Sequence, residues 1–283
     1  MIVDTHCHLT DKRFDGDIEG VLERAGAVGV EKIIAPSTSL GDAKQAVKIA
    51  DKFKGVYCLV GVHPEHVDET VDIARLRDVV ESSRKVVGVG EIGLDFHYDK
   101  EKKTKNKQIE LFEKQLELAV ELGLPVAIHA REAEEEMREV FEKLKERNLQ
   151  GGVFHCWGGN RDFLEYVLDK GFYVSFCGNI TYKNKRSLQT AEGYEQLFRK
   201  TGSEPSCARS MSLVDLLELV PLDRLLLETD SPYLSPEPLR GELNEPKNVK
   251  ITAKFIASTL GLDVDTLINQ TTKNSLCLFS LEN

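Results

Sequence analysis

The 283-residue sequence has no C-x-x-C pair, a single tryptophan and a deficit of positive charge. It also has no long apolar run: stretches such as GVYCLVGV fall far short of the ~18 residues of a membrane span. Its six cysteines, at 7, 58, 156, 177, 207 and 277, are scattered singly, and most lie within apolar runs, where Cys behaves as a small hydrophobe. That usage argues against a disulfide framework and suits a reducing cytoplasm. The chain opens directly on strand-like MIVDTHCHL, which predicts no secretory signal. The net charge is −10 and the pI near 5.3. Tight, static nucleic-acid binding usually needs a basic surface, so any such contact is expected to be local, transient or metal-mediated.

What is present is a repeated alternation. Eight strand candidates, 2–9, 31–38, 56–64, 86–95, 125–131, 151–157, 172–178 and 224–232, are separated by amphipathic stretches such as IELFEKQLELAVELG (109–123) and EEMREVFEKLKER (135–147). Near-continuous apolar strands followed by helices predict a parallel sheet covered by helices. Eight such units predict an α/β fold, a closed (β/α)8 barrel of TIM type, in one domain over 1–283. The interval between strands seven and eight is longer than the rest. Its excess, 187–212, reads either as a lid over the catalytic face or as a plain surface excursion.

Four of the seven histidines end short apolar runs: His6 and His8 in IVDTHCHL, His129 in PVAIH and His155 in GGVFH. Two acids occupy the same kind of place, Glu91 in VVGVGEIG and Asp230 in RLLLETDSP. In a strand, alternate side chains share a face, so His6 and His8 are expected to point one way and Cys7 the other. A lone buried His is more often a packed core residue than a ligand, but the same placement on five strands reverses that expectation. Neutral imidazoles and carboxylates suit borderline divalent ions. A closed barrel would gather these six residues at its C-terminal mouth. Glu91 can bridge two ions, with His6, His8 and Asp230 on the first and His129 and His155 on the second. Two such ions activate a water, and Asp230 could take its proton as general base. This chemistry is hydrolysis.

At these positions the sequence resembles the TatD family of metal-dependent hydrolases, amidohydrolase-like barrels known as deoxyribonucleases. The motifs DTHCHL, GVHP, GEIGLD, the spaced Gln108, Phe112 and Gln115, LPVAIHAR, HCWGG, PLDRLLLETDSPYL, NEP and TTKNSLCLF match in order along essentially the whole chain. The resemblance implies two divalent ions (magnesium, manganese or zinc) on His6, His8, Glu91, His129, His155 and Asp230, with DNA as substrate, bound transiently.

Other matched positions carry two readings each. Asp4, expected on the same inward face as His6 and His8, is an acceptor orienting an imidazole or a buried, charge-balanced carboxylate. His63, in GVHP, contacts substrate or caps a strand end. Asp95 and Glu228 are expected to support the ligands rather than join them. Arg131 and Arg240 bind phosphate, or are respectively an ion-pair partner and a surface arginine. Trp157 stacks on a base or packs in the core, and Cys7 and Cys156 are expected to face the helices as core thiols.

The sequence also departs from the family. Glu65 stands where a second His is common after His63-Pro64, and Glu242 and Leu243 replace basic residues before NEP. The five lysines within Asp99–Lys107 offset this, or simply start a solvated helix. Three activities therefore stay open: DNA phosphodiester cleavage from a strand end, hydrolysis of another ester or amide (an aminoacyl-tRNA ester or a small phosphoester), and a metal-stabilised scaffold.

Overall fold

A computed structural model describes residues 1–67, 71–97, 99, 103–144, 148–182 and 211–282. Eight strands form one sheet in chain order: β1 (Ile2–Asp4), β2 (Val30–Pro36), β3 (Val56–Leu59), β4 (Val86–Asp95), β5 (Val126–Arg131), β6 (Gly152–Phe154), β7 (Tyr173–Phe176) and β8 (Leu225–Leu227). All seven ladders are parallel. The last strand meets the first through hydrogen bonds from Thr5 N–H to Leu227 O (3.1 Å), Asp230 N–H to His6 O (2.9 Å) and His8 N–H to Ser231 O (2.7 Å). Those bonds close the sheet into the expected (β/α)8 barrel.

Its described helices are α1 (Ile18–Gly26), α2 (Leu40–Lys52), α3 (Ile73–Glu81), α4 (Lys105–Leu122), α5 (Glu134–Lys143), α6 (Arg161–Asp169), α7 (Leu213–Leu217), α8 (Val249–Thr259) and α9 (Val264–Leu278). Each lays an apolar stripe on the strands: Phe112, Leu116 and Ala119 of α4 are fully buried, while Lys114 and Glu110 face water. Gly123 ends α4 in the left-handed region (φ 64), where a Cβ would be strained. The 187–212 excess lies outside the described residues except for its last two, as do Lys100 and Lys102 of the lysine run.

Two packed layers place the site. One joins the helices to the outer faces of the strands. The other fills the barrel: Val3, Ile34, Leu59, Val87, Ala127, Val153 and Leu226 give one residue from each of seven strands, with Tyr173 of β7 against them. Phe279 and Leu281, after α9, pack on this inner layer. The barrel is thus plugged by apolar side chains, and polar groups collect beyond it at the C-terminal ends of the strands.

Several strands are shorter than their apolar runs. β1 stops at Asp4, β6 at Phe154 and β8 at Leu227, so His6, His8, His155 and Asp230 stand on the loops just past strand ends. Only Glu91 and His129 lie within strands. Gly93 (φ 145) allows β4 to press against β5 there, since a Cβ would sit 1.9 Å from the His129 carbonyl oxygen.

Candidate metal centre

Glu91 is buried at the centre of the mouth and turns a different oxygen to each of two imidazole groups. Its Oε2 lies 3.4 Å from His6 Nε2 and 3.7 Å from His8 Nε2. Its Oε1 lies 2.7 Å from His155 Nε2, 2.9 Å from His129 Nδ1 and 3.3 Å from His63 Nε2. Asp230 Oδ1 adds a second carboxylate on the first side, 3.4 Å from His8 Nε2 and 4.0 Å from His6 Nε2. The β4–β5 register skips between Val89 and Ile92, next to Glu91. Asp230 has φ 55, a sparsely populated conformation for a non-glycine residue at a strand end.

Supporting groups fix the rings. Asp95 Oδ2 lies 2.9 Å from His129 Nε2 and turns that ring's Nδ1 toward Glu91. His63 caps the short 3-10 helix Pro64–His66, its Nδ1 accepting from the Glu65 N–H at 3.2 Å, which leaves Nε2 facing Glu91. Glu228 Oε1 accepts from the Cys156 N–H (2.6 Å) and lies 3.8 Å from His155 Nδ1, while Ser175 Oγ donates to Oε2 (2.7 Å). His6 and His155 stack at 3.9 Å, their rings nearly parallel.

The charges follow from burial and neighbours. Burial alone would raise Glu91, but the imidazoles of His155, His63 and His129 hold it well below the carboxylate range. Burial, with His155 alongside, lowers His6 to about 4, so this ring is neutral. His129 is raised to about 10 because Asp95 and Glu91 outweigh its burial. Burial pushes Glu228 up to about 7.

These groups fit divalent ions. Both ring nitrogens of His6 are buried without a hydrogen-bond partner, and Nε2 faces oxygens of Glu91 and Asp230. A cation between them removes that deficit, and neutral imidazole with carboxylate is a zinc- or manganese-type donor set. Among the described residues, three groups of imidazoles and carboxylates converge within 4.8 Å: His6 with Glu91 and His155, His6 with His8 and Asp230, and His63 with Glu91 and His129.

The remaining expectations divide. Asp4 does not share the face of His6 and His8. It pairs in the ladder with Ile33 of the helix-facing layer, and its carboxylate accepts from Thr229 N–H (2.9 Å), Thr229 Oγ1 (2.6 Å) and His6 N–H (3.3 Å). It therefore ties the backbones that carry His6 and Asp230, and touches no imidazole through these bonds. Cys7 faces the helix-side core as expected. Cys156 does not: its backbone takes a left-handed φ of 43 past the end of β6, which breaks strand alternation and brings its sulfur to Asp230 and Cys177. Trp157 is core, 2% exposed and stacked on Phe163 at 5.6 Å. Arg131 reaches Asp95 at 3.9 Å, at the edge of the cluster. Arg240 instead lies exposed over the Tyr182 ring at 4.2 Å.

Sequence reasoning passed over Tyr233. It is 46% exposed, edge-on to His8 at 5.8 Å, with the Arg13 guanidinium over its ring at 4.3 Å and its hydroxyl donating to Asp11 at 3.2 Å. Its signal was its place three residues after Asp230, in the loop that follows a barrel strand.

Known proteins resemble the chain along its length. The family model described as TatD related DNase matches residues 3–280. An uncharacterized metal-dependent hydrolase of Bacillus subtilis, YabD, is 34% identical, covering 99% of this chain and 100% of its own. A protein of Pantoea ananatis named 3'-5' ssDNA/RNA exonuclease TatD is 32% identical over 98% of this chain and 99% of its own. The crystal structure of YjjV, a TatD homologue from Escherichia coli, superposes with a TM-score of 0.83 at 28% identity, covering 99% of this chain and 98% of that one.

Proposed function

The chain belongs to the TatD-related DNase family of metal-dependent hydrolases, and from that premise we propose that it shortens single-stranded DNA from an end by phosphodiester hydrolysis. The observation that carries this reading is the division of Glu91, whose two oxygens face two separate donor groups. His6, His8 and Asp230 would hold one cation and His129 and His155 a second, with Glu91 shared between them. Bound cations supply Lewis acidity and a water acidic enough to ionise near neutral pH. Asp230, kept ionised by its contact with His8 despite burial, receives the proton of the attacking water. His63 Nε2, beside the second donor group, offers a hydrogen bond to a phosphoryl oxygen. Arg131, half out of the cluster next to Asp95, offers a charge to the adjoining phosphate. Tyr233 presents an exposed ring next to His8, where a base flanking the scissile bond can stack. The exonuclease name borne by the Pantoea relative agrees with action from an end.

A second reading, a smaller phosphoester or another ester, is favoured by one observation: Arg13, the cation next to Tyr233, is already paired with Asp11 at 2.8 Å. An end-labelled oligonucleotide incubated with magnesium or manganese distinguishes the two readings. Progressive shortening supports the nuclease. Turnover of small esters with the oligonucleotide left intact supports the alternative. If cleavage survives in both Glu91→Gln and His6→Ala, the assigned site is wrong.

A further inference from the structure

Beside Asp230 lies a group that the hydrolytic reading leaves unused. The sulfurs of Cys156 and Cys177 and a carboxylate oxygen of Asp230 all lie within 4.8 Å of one another. They come from three separate strand ends: Cys156 follows β6, Cys177 follows β7 and caps the 3-10 helix Gly178–Thr181, and Asp230 follows β8. The Asn179 side chain spans both sulfurs, accepting from Cys177 Sγ at 3.3 Å and donating to Cys156 Sγ at 3.7 Å.

Two sulfurs and a carboxylate oxygen thus converge, with the Asn179 side chain against both sulfurs. Zinc–sulfur bonds of about 2.3 Å in a tetrahedron set sulfurs just under about 4 Å apart, which this group reaches with small side-chain shifts. Sulfur ligands select soft and borderline ions against magnesium and manganese, so this group discriminates against the manganese that its neighbour accepts. Cys177 is fully buried, whereas Cys156 is partly exposed.

We propose that Cys156, Cys177 and Asp230, with Asn179 behind them, form a separate site for a thiophilic divalent cation such as zinc or cadmium, and that filling it stops turnover by drawing Asp230 away from His6 and His8. Binding rests on these residues alone. The inhibitory consequence rests on the hydrolytic reading above.

The test is a cadmium titration of the full chain with Cys207 and Cys277 replaced by Ser and magnesium in excess, following the ultraviolet charge-transfer absorption of cadmium–thiolate bonds. The expected result is a band saturating at a single equivalent, lost in both Cys177→Ser and Cys177→Ala, with unfolding midpoints checked in parallel. No band in the parent, or an undiminished band in whichever variant folds, overturns the site. Zinc added over magnesium-supported hydrolysis should then inhibit the parent and spare Cys177→Ser. A normal band with equal inhibition of both overturns the coupling to Asp230. If no substrate is turned over at all, the hydrolytic reading fails, and the absorbance still decides the site.

Discussion

Gln115 holds both backbone polar groups of Val62: its Oε1 accepts from the Val62 N–H at 2.8 Å and its Nε2 donates to the Val62 carbonyl at 3.0 Å. Two helical turns earlier on α4, Gln108 does the same for Asp95, at 2.9 Å in each direction. Val62 precedes His63, and Asp95 holds His129, so one face of one helix sets the position of both rings. Gln115→Leu leaves two buried backbone groups unpaired, at about 1–3 kcal/mol each. A lower urea midpoint and a lower kcat are expected together. If stability falls while kcat is unchanged, His63 does not depend on this clamp for turnover.

The division of Glu91 makes ion counting informative. His8→Ala removes a donor from one side only, so if the parent binds the two ions proposed, the variant should retain one tightly bound manganese per chain. Glu91→Gln weakens both sides because each loses the same charge. Metal content after gel filtration reads this directly. Equal loss in the two variants would argue for a single ion shared by all the donors.

Proton release gives the site a pH dependence of definite sign. In the metal-free protein, His129 is raised above its ordinary 6.5 to about 10, by Asp95 and Glu91 acting against burial. A group raised on folding contributes stability that is full below its unfolded value and is lost as pH climbs through the folded one. Chelated protein should therefore lose this contribution between pH 6.5 and about 10. Cation binding requires the ring to give up its proton, so stabilisation by manganese should grow over the same window. The difference in unfolding midpoint with and without chelator, measured across that range, should widen with pH. A constant difference would mean that His129 is already neutral before the metal arrives.

Much of the architecture was legible because barrel strands are buried on both faces, and apolar runs such as PVAIHAR and VVGVGEIGLD mark them without ambiguity. The six suspected ligands could be found because each polar residue interrupts or ends such a run. Strand ends were less legible. The regular strands β1 and β8 end at Asp4 and Leu227, and beyond them the two segments stay joined by single hydrogen bonds and one parallel bridge, Cys7 with Ser231, in place of a continuous pleat. Alternation counted back from His6 therefore put Asp4 on the wrong face. A left-handed residue likewise carried no sequence signal at Cys156, where Gly would have announced it.

Asp4 supplies a prediction of its own. Burial pushes its carboxyl from an ordinary 3.8 up to about 8, against the hydrogen bonds from Thr229 and His6 that favour ionisation. Its stabilising contribution is thus full below 3.8 and is lost as pH rises toward and through 8. Asn can accept the same two backbone N–H groups and donate to Thr229 Oγ1, and it carries no charge. Asp4→Asn should exceed the parent in urea midpoint already at pH 6, where part of this contribution is lost, and by a wider margin at pH 9. A variant less stable than the parent at both values would show that the carboxylate is ionised and needed.

The exposed ring of Tyr233 separates recognition from chemistry. Stacking of one base on an aromatic side chain contributes about 1–3 kcal/mol, which corresponds to roughly a 5- to 150-fold change in affinity. Tyr233→Ala should raise KM for a single-stranded oligonucleotide within that range. Hydrolysis of a small phosphodiester without a base should change far less, because the ring meets His8 only edge-on. Tyr233→Phe keeps the ring and loses only the hydroxyl contact with Asp11, so it should restore the oligonucleotide KM. If the Phe variant is as impaired as the Ala variant, the hydroxyl matters more than the ring. Tyr233 would then act by fixing Asp11 and Arg13, and base stacking would have to come from elsewhere on the mouth.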